Sequence, residues 1–155
     1  MVKVLKISPD RKDVGLLLKQ SDNYMTSLYP PETIHLDGAE ELSKSNVVLI
    51  GAFEDNNLVG IGAVKVIEHD VVYGEVKRVF IPTKHRGKGI AKLIMYELEN
   101  YLVKQGVRHA RLVAGVKQPE ALGLYRSLGF IERGAFGQYK DDPISVFMEK
   151  ILGNR

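Results

Sequence analysis

Glycine and cationic residues meet in one short segment, where a strand pattern gives way to a helical one. Arg86, Gly89 and Ala91 form the pattern Arg-x-x-Gly-x-Ala, and Gly87 and Lys88 lie inside it. Glycine lets a ligand approach the backbone closely. The first N–H groups of the following helix lack partners and carry a partial positive charge. Together these features predict a binding site for a diphosphate.

The two common nucleotide-binding loops do not match this segment. A P-loop requires Gly-x-x-x-x-Gly-Lys-Ser/Thr, whereas Gly89 is followed by Ile90 and Ala91. A dinucleotide-binding loop requires Gly-x-Gly-x-x-Gly, and here Lys92 stands at the third glycine position. A glycine-bearing turn before an ordinary helix is the alternative interpretation of these residues alone.

A second motif lies further along the chain, in a segment with a helical pattern. Ala121, Tyr125, Gly129 and Phe130 give the spacing Ala-x-x-x-Tyr-x-x-x-Gly-Phe. A tyrosine hydroxyl that lies close to a thiolate can protonate it. The alternative interpretation is a core tyrosine on an amphipathic helix.

The two motifs together resemble those of the GNAT superfamily of N-acetyltransferases, in its small single-domain bacterial form. The resemblance implies acetyl-CoA as cosubstrate and Tyr125 as the group that protonates the leaving thiolate. In that family, CoA enters a V-shaped gap between splayed central strands, and its pantetheine pairs with exposed strand backbone. The expected CoA-binding residues are Val79, Ile81, Arg86, Gly87, Lys88, Gly89, Ile90 and Ala91.

Acetyl transfer to an amine also requires removal of a proton, because most alkylammonium groups have a pKa near that of lysine, ~10.4. Glu75 is the candidate general base. Strand alternation predicts that it shares a face with Val79 and Ile81, and many members of the family carry a glutamate at this point. Two alternatives stay open: a water molecule held by backbone groups takes the proton, or Glu75 merely pairs with Lys77 or Arg78.

Two segments, residues 22–32 and 136–143, are expected to shape the acceptor pocket. Both resemble segments of small bacterial GNAT proteins, although their prolines are also ordinary loop signals. Tyr24, Tyr29 and Tyr139 could stack on a ligand or hydrogen-bond to it. The family acetylates aminoglycosides, polyamines, amino acids and proteins, so the resemblance implies a small-molecule or peptide amine without choosing one.

The 155 residues are expected to form one domain of the α/β (α+β) class, with a mixed, mostly antiparallel central sheet flanked by helices and splayed at the CoA site. Ser8 is predicted to cap the first helix, which Pro9 begins, and Asp37 with Glu40 resembles a capping box. The predicted strands are 2–8, 47–53, 58–68, 73–81, 110–114, 130–135 and 145–151, and the predicted helices are 9–28, 37–44, 89–105 and 119–128.

Composition excludes several classes of function. The chain has no cysteine, which rules out a disulfide framework and a cysteinyl acyl-enzyme. Its four histidines lack zinc-ligand spacing, so no metal is expected. No apolar run reaches the ~20 residues of a membrane span, so a cytoplasmic protein without a membrane partner is expected, and a homodimer is one conceivable state. The rivals are a non-catalytic acyl-CoA sensor of the same fold and a nucleic-acid binder, although the basic cluster lacks interleaved aromatic residues.

Overall fold

The computed structural model describes residues 1–33 and 36–153. Its strands are β1 (Val2–Lys6), β2 (Val47–Glu54), β3 (Asn57–Glu68), β4 (Val72–Phe80), β5 (His109–Gly115), β6 (Ile131–Arg133) and β7 (Ser145–Ile151). Its α-helices are α1 (Lys12–Leu28), α2 (Ala39–Leu42), α3 (Ile90–Lys104) and α4 (Pro119–Ser127). Two single 3₁₀ turns, Pro31–Thr33 and Thr83–His85, precede α2 and α3.

The strands form one sheet in the order β1-β2-β3-β4-β5-β7-β6. Strands β1 to β4 make an antiparallel meander. The β4–β5 pair is parallel, and β7 lies antiparallel between β5 and β6. The predicted fold class and the predicted order of elements are therefore confirmed.

Two predicted helix starts are wrong, and for the same reason. Helix α1 begins at Lys12 rather than Pro9, because the Ser8 hydroxyl accepts the N–H of Asp10 at 3.2 Å in a local turn. Helix α2 follows Gly38, and the Asp37 carboxylate turns away to Lys77, 3.2 Å from its Nζ. In both cases the side chain that could cap the helix has another partner.

The sheet is covered by α3 on one face and by α1 and α2 on the other. Ile94, Leu98 and Leu102 of α3 are fully buried against the sheet. The helix can pack this closely because Gly62 has no side chain. A β-carbon at Gly62 would lie only 2.6 Å from the Ile94 side chain. On the opposite face, Leu17 of α1 belongs to a second buried cluster. None of the helices in the described part of the chain is long and apolar enough to cross a membrane.

Strand β4 contains a bulge at Arg78. Its φ angle is +56°, and the register with β3 shifts so that Arg78 and Val79 together oppose Gly62. A bulge bends its strand and increases the local twist. Pairing between β4 and β5 ends at Val76 and Leu112, two residues before the bulge. Beyond that point the two strands are no longer paired, as the predicted splay requires.

The bulge also changes which side chains share a face. The register places Glu75 and Lys77 on the face of Phe80, which packs in the cluster beside α1. Val79 and Ile81 instead pack in the core under α3. The prediction that Glu75 shares a face with Val79 and Ile81 is wrong, because the extra residue of the bulge reverses the alternation.

Candidate active site

The segment between β4 and α3 forms a tight loop at the N-terminus of α3. Gly87 and Gly89 have φ angles of +81° and +79°, and Gly89 is the N-cap of the helix. A β-carbon at either glycine would meet no protein atom within 4 Å. Glycine is therefore required by the backbone conformation, and open space lies above it. The first N–H groups of α3, from Ile90 onward, have no partner within the helix.

A cavity of about 190 Å³ adjoins this loop. Six of the predicted CoA-binding residues line it, together with one residue of α4, Leu124. The six are Ile81, Arg86, Gly87, Gly89, Ile90 and Ala91. Glycine backbone, free helix N–H groups and open space are what a diphosphate site requires.

Arg86 lines this cavity, and its side chain also contacts the end of β4 and helix α1. Its Nε donates a hydrogen bond to the carbonyl oxygen of Ile81 at 2.9 Å. Its guanidinium lies over the rings of Tyr24 and Phe80, 5.3 and 6.0 Å from their centroids. Arg86 thus holds the end of β4 against α1. Tyr24, predicted to contact the acceptor, lies under this guanidinium.

Lys88 extends to the surface and does not line this cavity. Its Nζ lies 3.2 Å from a carboxylate oxygen of Glu54, and both side chains are partly exposed. An exposed ion pair contributes little free energy. Lys88 can therefore exchange Glu54 for a phosphate group at little cost.

A second, larger cavity of about 1020 Å³ opens where β4 and β5 separate. Its walls include Val76–Arg78 of β4, Val113–Gly115 of β5 and residues 137–142 of the loop before β7. Glu75, Tyr29 and Tyr139 line it too. The structure therefore brings the candidate base together with two of the three tyrosines predicted for the acceptor pocket.

Glu75 is buried, with 4% of its surface exposed, and takes part in a polar network. The Tyr139 hydroxyl donates to its Oε2 at 2.6 Å. Lys77 Nζ lies 3.5 Å from the same Oε2, 3.5 Å from the Tyr139 hydroxyl and 3.2 Å from Asp37. Of the two cations named as alternative partners of Glu75, Lys77 lies beside it, whereas Arg78 pairs with Asp22 at 2.7 Å.

Burial, together with the neighbouring Glu75 carboxylate, raises the pKa of the Tyr139 phenol well above its usual value. The phenol therefore keeps its proton throughout the neutral range and remains a hydrogen-bond donor to Glu75. A charged acceptor amine would meet a neutral hydroxyl at this point of the wall.

Tyr29 makes contacts that connect two walls of the larger cavity. Its hydroxyl accepts the N–H of Lys117 at 3.0 Å and lies 3.4 Å from the side-chain oxygen of Gln118. Lys117 Nζ in turn donates to the carbonyl oxygen of Leu28. Burial raises the pKa of Tyr29. These contacts join the C-terminus of α1 to the turn after β5, and the ring is 5% exposed.

Tyr125 lies apart from the Glu75 network. Its ring packs edge to face against Phe130, with 5.9 Å between centroids, and contacts the core under α3. Burial raises its pKa to about 12, so the phenol stays protonated in the neutral range. Tyr125 lines neither of the two cavities described above, although the adjacent Leu124 lines the smaller one.

Two residues of the network, Lys77 and Asp37, were not recognised as parts of a site from the sequence. Lys77 was visible only as a cation near Glu75, and Asp37 carried the stronger signal of a helix cap. Their meeting depends on the path of the chain from α1 to β2, for which the sequence offers no short-range pattern. Among the described residues, no three potential ligands lie close enough to hold a metal ion.

Comparison with known proteins gives consistent results over nearly the whole chain. The model of the Acetyltransferase (GNAT) family matches residues 17–130. The chain is 36% identical to an IAA acetyltransferase of Azospirillum brasilense, over 97% of this chain and 98% of that protein.

Two crystal structures are similar along their full length. The first is a provisionally assigned acyl-CoA N-acyltransferase from Klebsiella pneumoniae, with a TM-score of 0.82 and 29% identity over 99% of both chains. The second is the PaiA N-acetyltransferase of Thermoplasma acidophilum in complex with coenzyme A, with a TM-score of 0.76 over 98% of this chain and 99% of that one. At 19% identity, this second similarity concerns the fold alone.

Proposed function

The chain belongs to the GNAT family of acetyltransferases, and on this basis we propose that it moves an acetyl group directly from acetyl-CoA to a primary amine. The acceptor class is a small molecule, an amino acid or a peptide. One observation carries the proposal: the larger cavity opens at the gap between β4 and β5, and a buried carboxylate, Glu75, lies beside that gap.

The residues of the α3 loop fit the diphosphate of CoA. The open space above Gly87 and Gly89 accepts the phosphates, and the first N–H groups of α3 donate to them. Lys88 supplies a cation by leaving Glu54. Pantetheine then runs along the unpaired edge of β4 near Val79, because its two amides can bond to backbone groups there.

Two residues carry out the two proton transfers of the reaction. Glu75 accepts the proton that an acceptor ammonium loses before its nitrogen attacks the thioester carbon. Tyr125 gives its proton to the thiolate as the C–S bond breaks. The phenol carries its proton over the whole neutral range, since burial raises the pKa of Tyr125 to about 12. Transfer is direct from the thioester to the amine, and without a cysteine no cysteinyl acyl-enzyme can form.

The test is a thiol-release assay with acetyl-CoA and a panel of alkylamines, polyamines, amino acids and peptides. The panel also includes IAA, the compound in the name of the Azospirillum relative. We expect thiol release to depend on one class of amine and Glu75→Gln to lower kcat by ~10²-fold or more. Glu40→Gln, which changes an exposed carboxylate on α2, serves as the control and should leave kcat unchanged.

Two results would contradict the proposal. If CoA raises the melting temperature while no amine supports thiol release, the protein is an acyl-CoA sensor of the same fold. If CoA neither binds nor stabilises the protein, the assignment of the α3 loop is wrong as well.

A further inference from the structure

Tyr139 and the buried Glu75 line the larger cavity together and are hydrogen-bonded to each other. Both residues line that cavity, but Glu75 is only 4% exposed, whereas Tyr139 is half-buried and more accessible. The Tyr139 ring packs against Phe136 and Phe147, with centroids 5.5 and 6.0 Å away. These contacts hold the hydroxyl over the carboxylate at 2.6 Å.

Among the described residues, the contacts of the Tyr139 hydroxyl leave one lone-pair direction open. A phenol has one O–H to donate and oxygen lone pairs that accept. The O–H is used by Glu75 Oε2, and Lys77 Nζ approaches the oxygen at 3.5 Å. The remaining lone-pair direction can accept an N–H from an acceptor amine in the cavity.

Burial, not charge, distinguishes Tyr139 from Glu75 as the first contact for the acceptor. The Lys77 ammonium lies 3.5 Å from both Glu75 Oε2 and the Tyr139 hydroxyl, so an acceptor ammonium meets the same like charge at either atom. Glu75 is 4% exposed, whereas Tyr139 is half-buried and therefore the more accessible of the two. Among the described residues, the other ionisable groups near this network include Asp37, Tyr73 and Lys65, whose Nζ pairs with Glu41 at 2.7 Å.

We propose that Tyr139 relays the proton of the acceptor ammonium to Glu75 in the N-acetyl transfer proposed above, on which this inference rests. One N–H bond of the ammonium breaks, and its proton goes to the Tyr139 oxygen while the Tyr139 proton passes to Glu75 Oε2. The neutral nitrogen attacks the thioester carbon, and the C–S bond breaks. The thiolate takes a proton from Tyr125, which the second N–H proton of the amine restores. Glu75 finally releases its proton to water.

The test compares two nucleophiles in the wild-type protein and in Tyr139→Phe. The first is the primary alkylamine that gives the fastest thiol release in the panel above, which is protonated at neutral pH. The second is hydroxylamine, which is already neutral there and needs no relay before it attacks. We expect Tyr139→Phe to lower kcat for the alkylamine by ~10-fold or more, with KM unchanged, and to change kcat for hydroxylamine less than twofold.

Two further measurements separate a relay from packing. Tyr101→Phe makes the same chemical change on α3, at a residue that lines neither cavity. It should leave kcat unchanged for both nucleophiles. The double variant Tyr139→Phe/Glu75→Gln should be little slower with the alkylamine than Glu75→Gln alone, because both substitutions interrupt one path.

Equal losses with both nucleophiles, a change in KM alone, or no loss would each overturn the relay. If the wild-type protein turns over no alkylamine in the panel, the proposed function fails and the relay with it. If the wild-type protein is active and Tyr139→Phe is equally active, the relay alone fails.

Discussion

The loop assignment can be tested with two glycines at opposite ends of α3. Gly89 is the N-cap with φ at +79°, and Gly106 follows the C-terminal end with φ at +76°. A β-carbon at either position would meet no protein atom within 4 Å. Replacement by alanine therefore imposes the same backbone penalty at both sites and no steric clash within the protein.

The expected magnitudes follow from this symmetry. A left-handed conformation costs a non-glycine residue roughly 1–2 kcal/mol. For a protein of this size, each kcal/mol lowers the melting temperature by about 2–4 °C, so Gly89→Ala and Gly106→Ala should both lower it by roughly 2–8 °C. Only the β-carbon at Gly89 enters the space assigned to the diphosphate. Gly89→Ala should weaken CoA binding by at least tenfold, about 1.4 kcal/mol, and Gly106→Ala should not weaken it.

Thermal melts and calorimetric titrations with CoA and with pantetheine measure both quantities. Pantetheine carries no diphosphate, so Gly89→Ala should bind it like the wild-type protein. Wild-type affinity of Gly89→Ala for CoA would refute the placement of the diphosphate. Equal loss of CoA affinity in both variants would show that the effect comes from strain in the helix rather than from contact with the ligand.

Three further outcomes can be measured with the same methods. Arg86→Ala should weaken pantetheine and CoA binding alike, because its guanidinium holds the end of β4, whereas Lys88→Ala should weaken CoA alone and reduce the salt dependence in titrations. Tyr125→Phe should keep the melting temperature and CoA affinity and lower kcat by ~10²-fold; full kcat with rate-limiting chemistry would exclude it from the mechanism. Hydrogen bonds from two lysines lower the pKa of Glu41 from 4.5 to about 2. Glu41→Gln should therefore lower the melting temperature at neutral pH. The difference in melting temperature between the variant and the wild-type protein should shrink as the pH falls from about 4.5 toward 2.

The order of the elements and the α3 loop were predictable because their signals are local. Alternation identified β1, and turn residues separated the other strands of the meander. Gly106 and Gly129, both with positive φ, follow the two helices close to their predicted ends. The requirement for glycine at Gly87 and Gly89 is likewise a property of the backbone at those residues. Each of these features is decided within a few positions of the chain.

The two helix caps were mispredicted because each side chain had more than one possible partner. A serine or an aspartate has the same local signal whether it binds a helix end or another group. In the folded chain the Ser8 hydroxyl accepts the N–H of Asp10, and Asp37 contacts Lys77. The loop pattern likewise does not reveal that Arg86 contacts the carbonyl oxygen of Ile81 and the ring of Tyr24, and its predicted contact with CoA stays a prediction.

The bulge at Arg78 is the feature with the largest consequence and the weakest sequence signal. Positive φ is uncommon outside glycine, asparagine and aspartate, so the arginine type argues against it. The conformation is stabilised by a residue that is distant in sequence, since the buried Arg78 guanidinium pairs at 2.7 Å with Asp22, 56 positions away. Because of this one inserted residue, Glu75 and Lys77 face the cavity, whereas Val79 faces α3. The polar network around Glu75 therefore depends on how α1 docks on β4, which strand periodicity does not reveal.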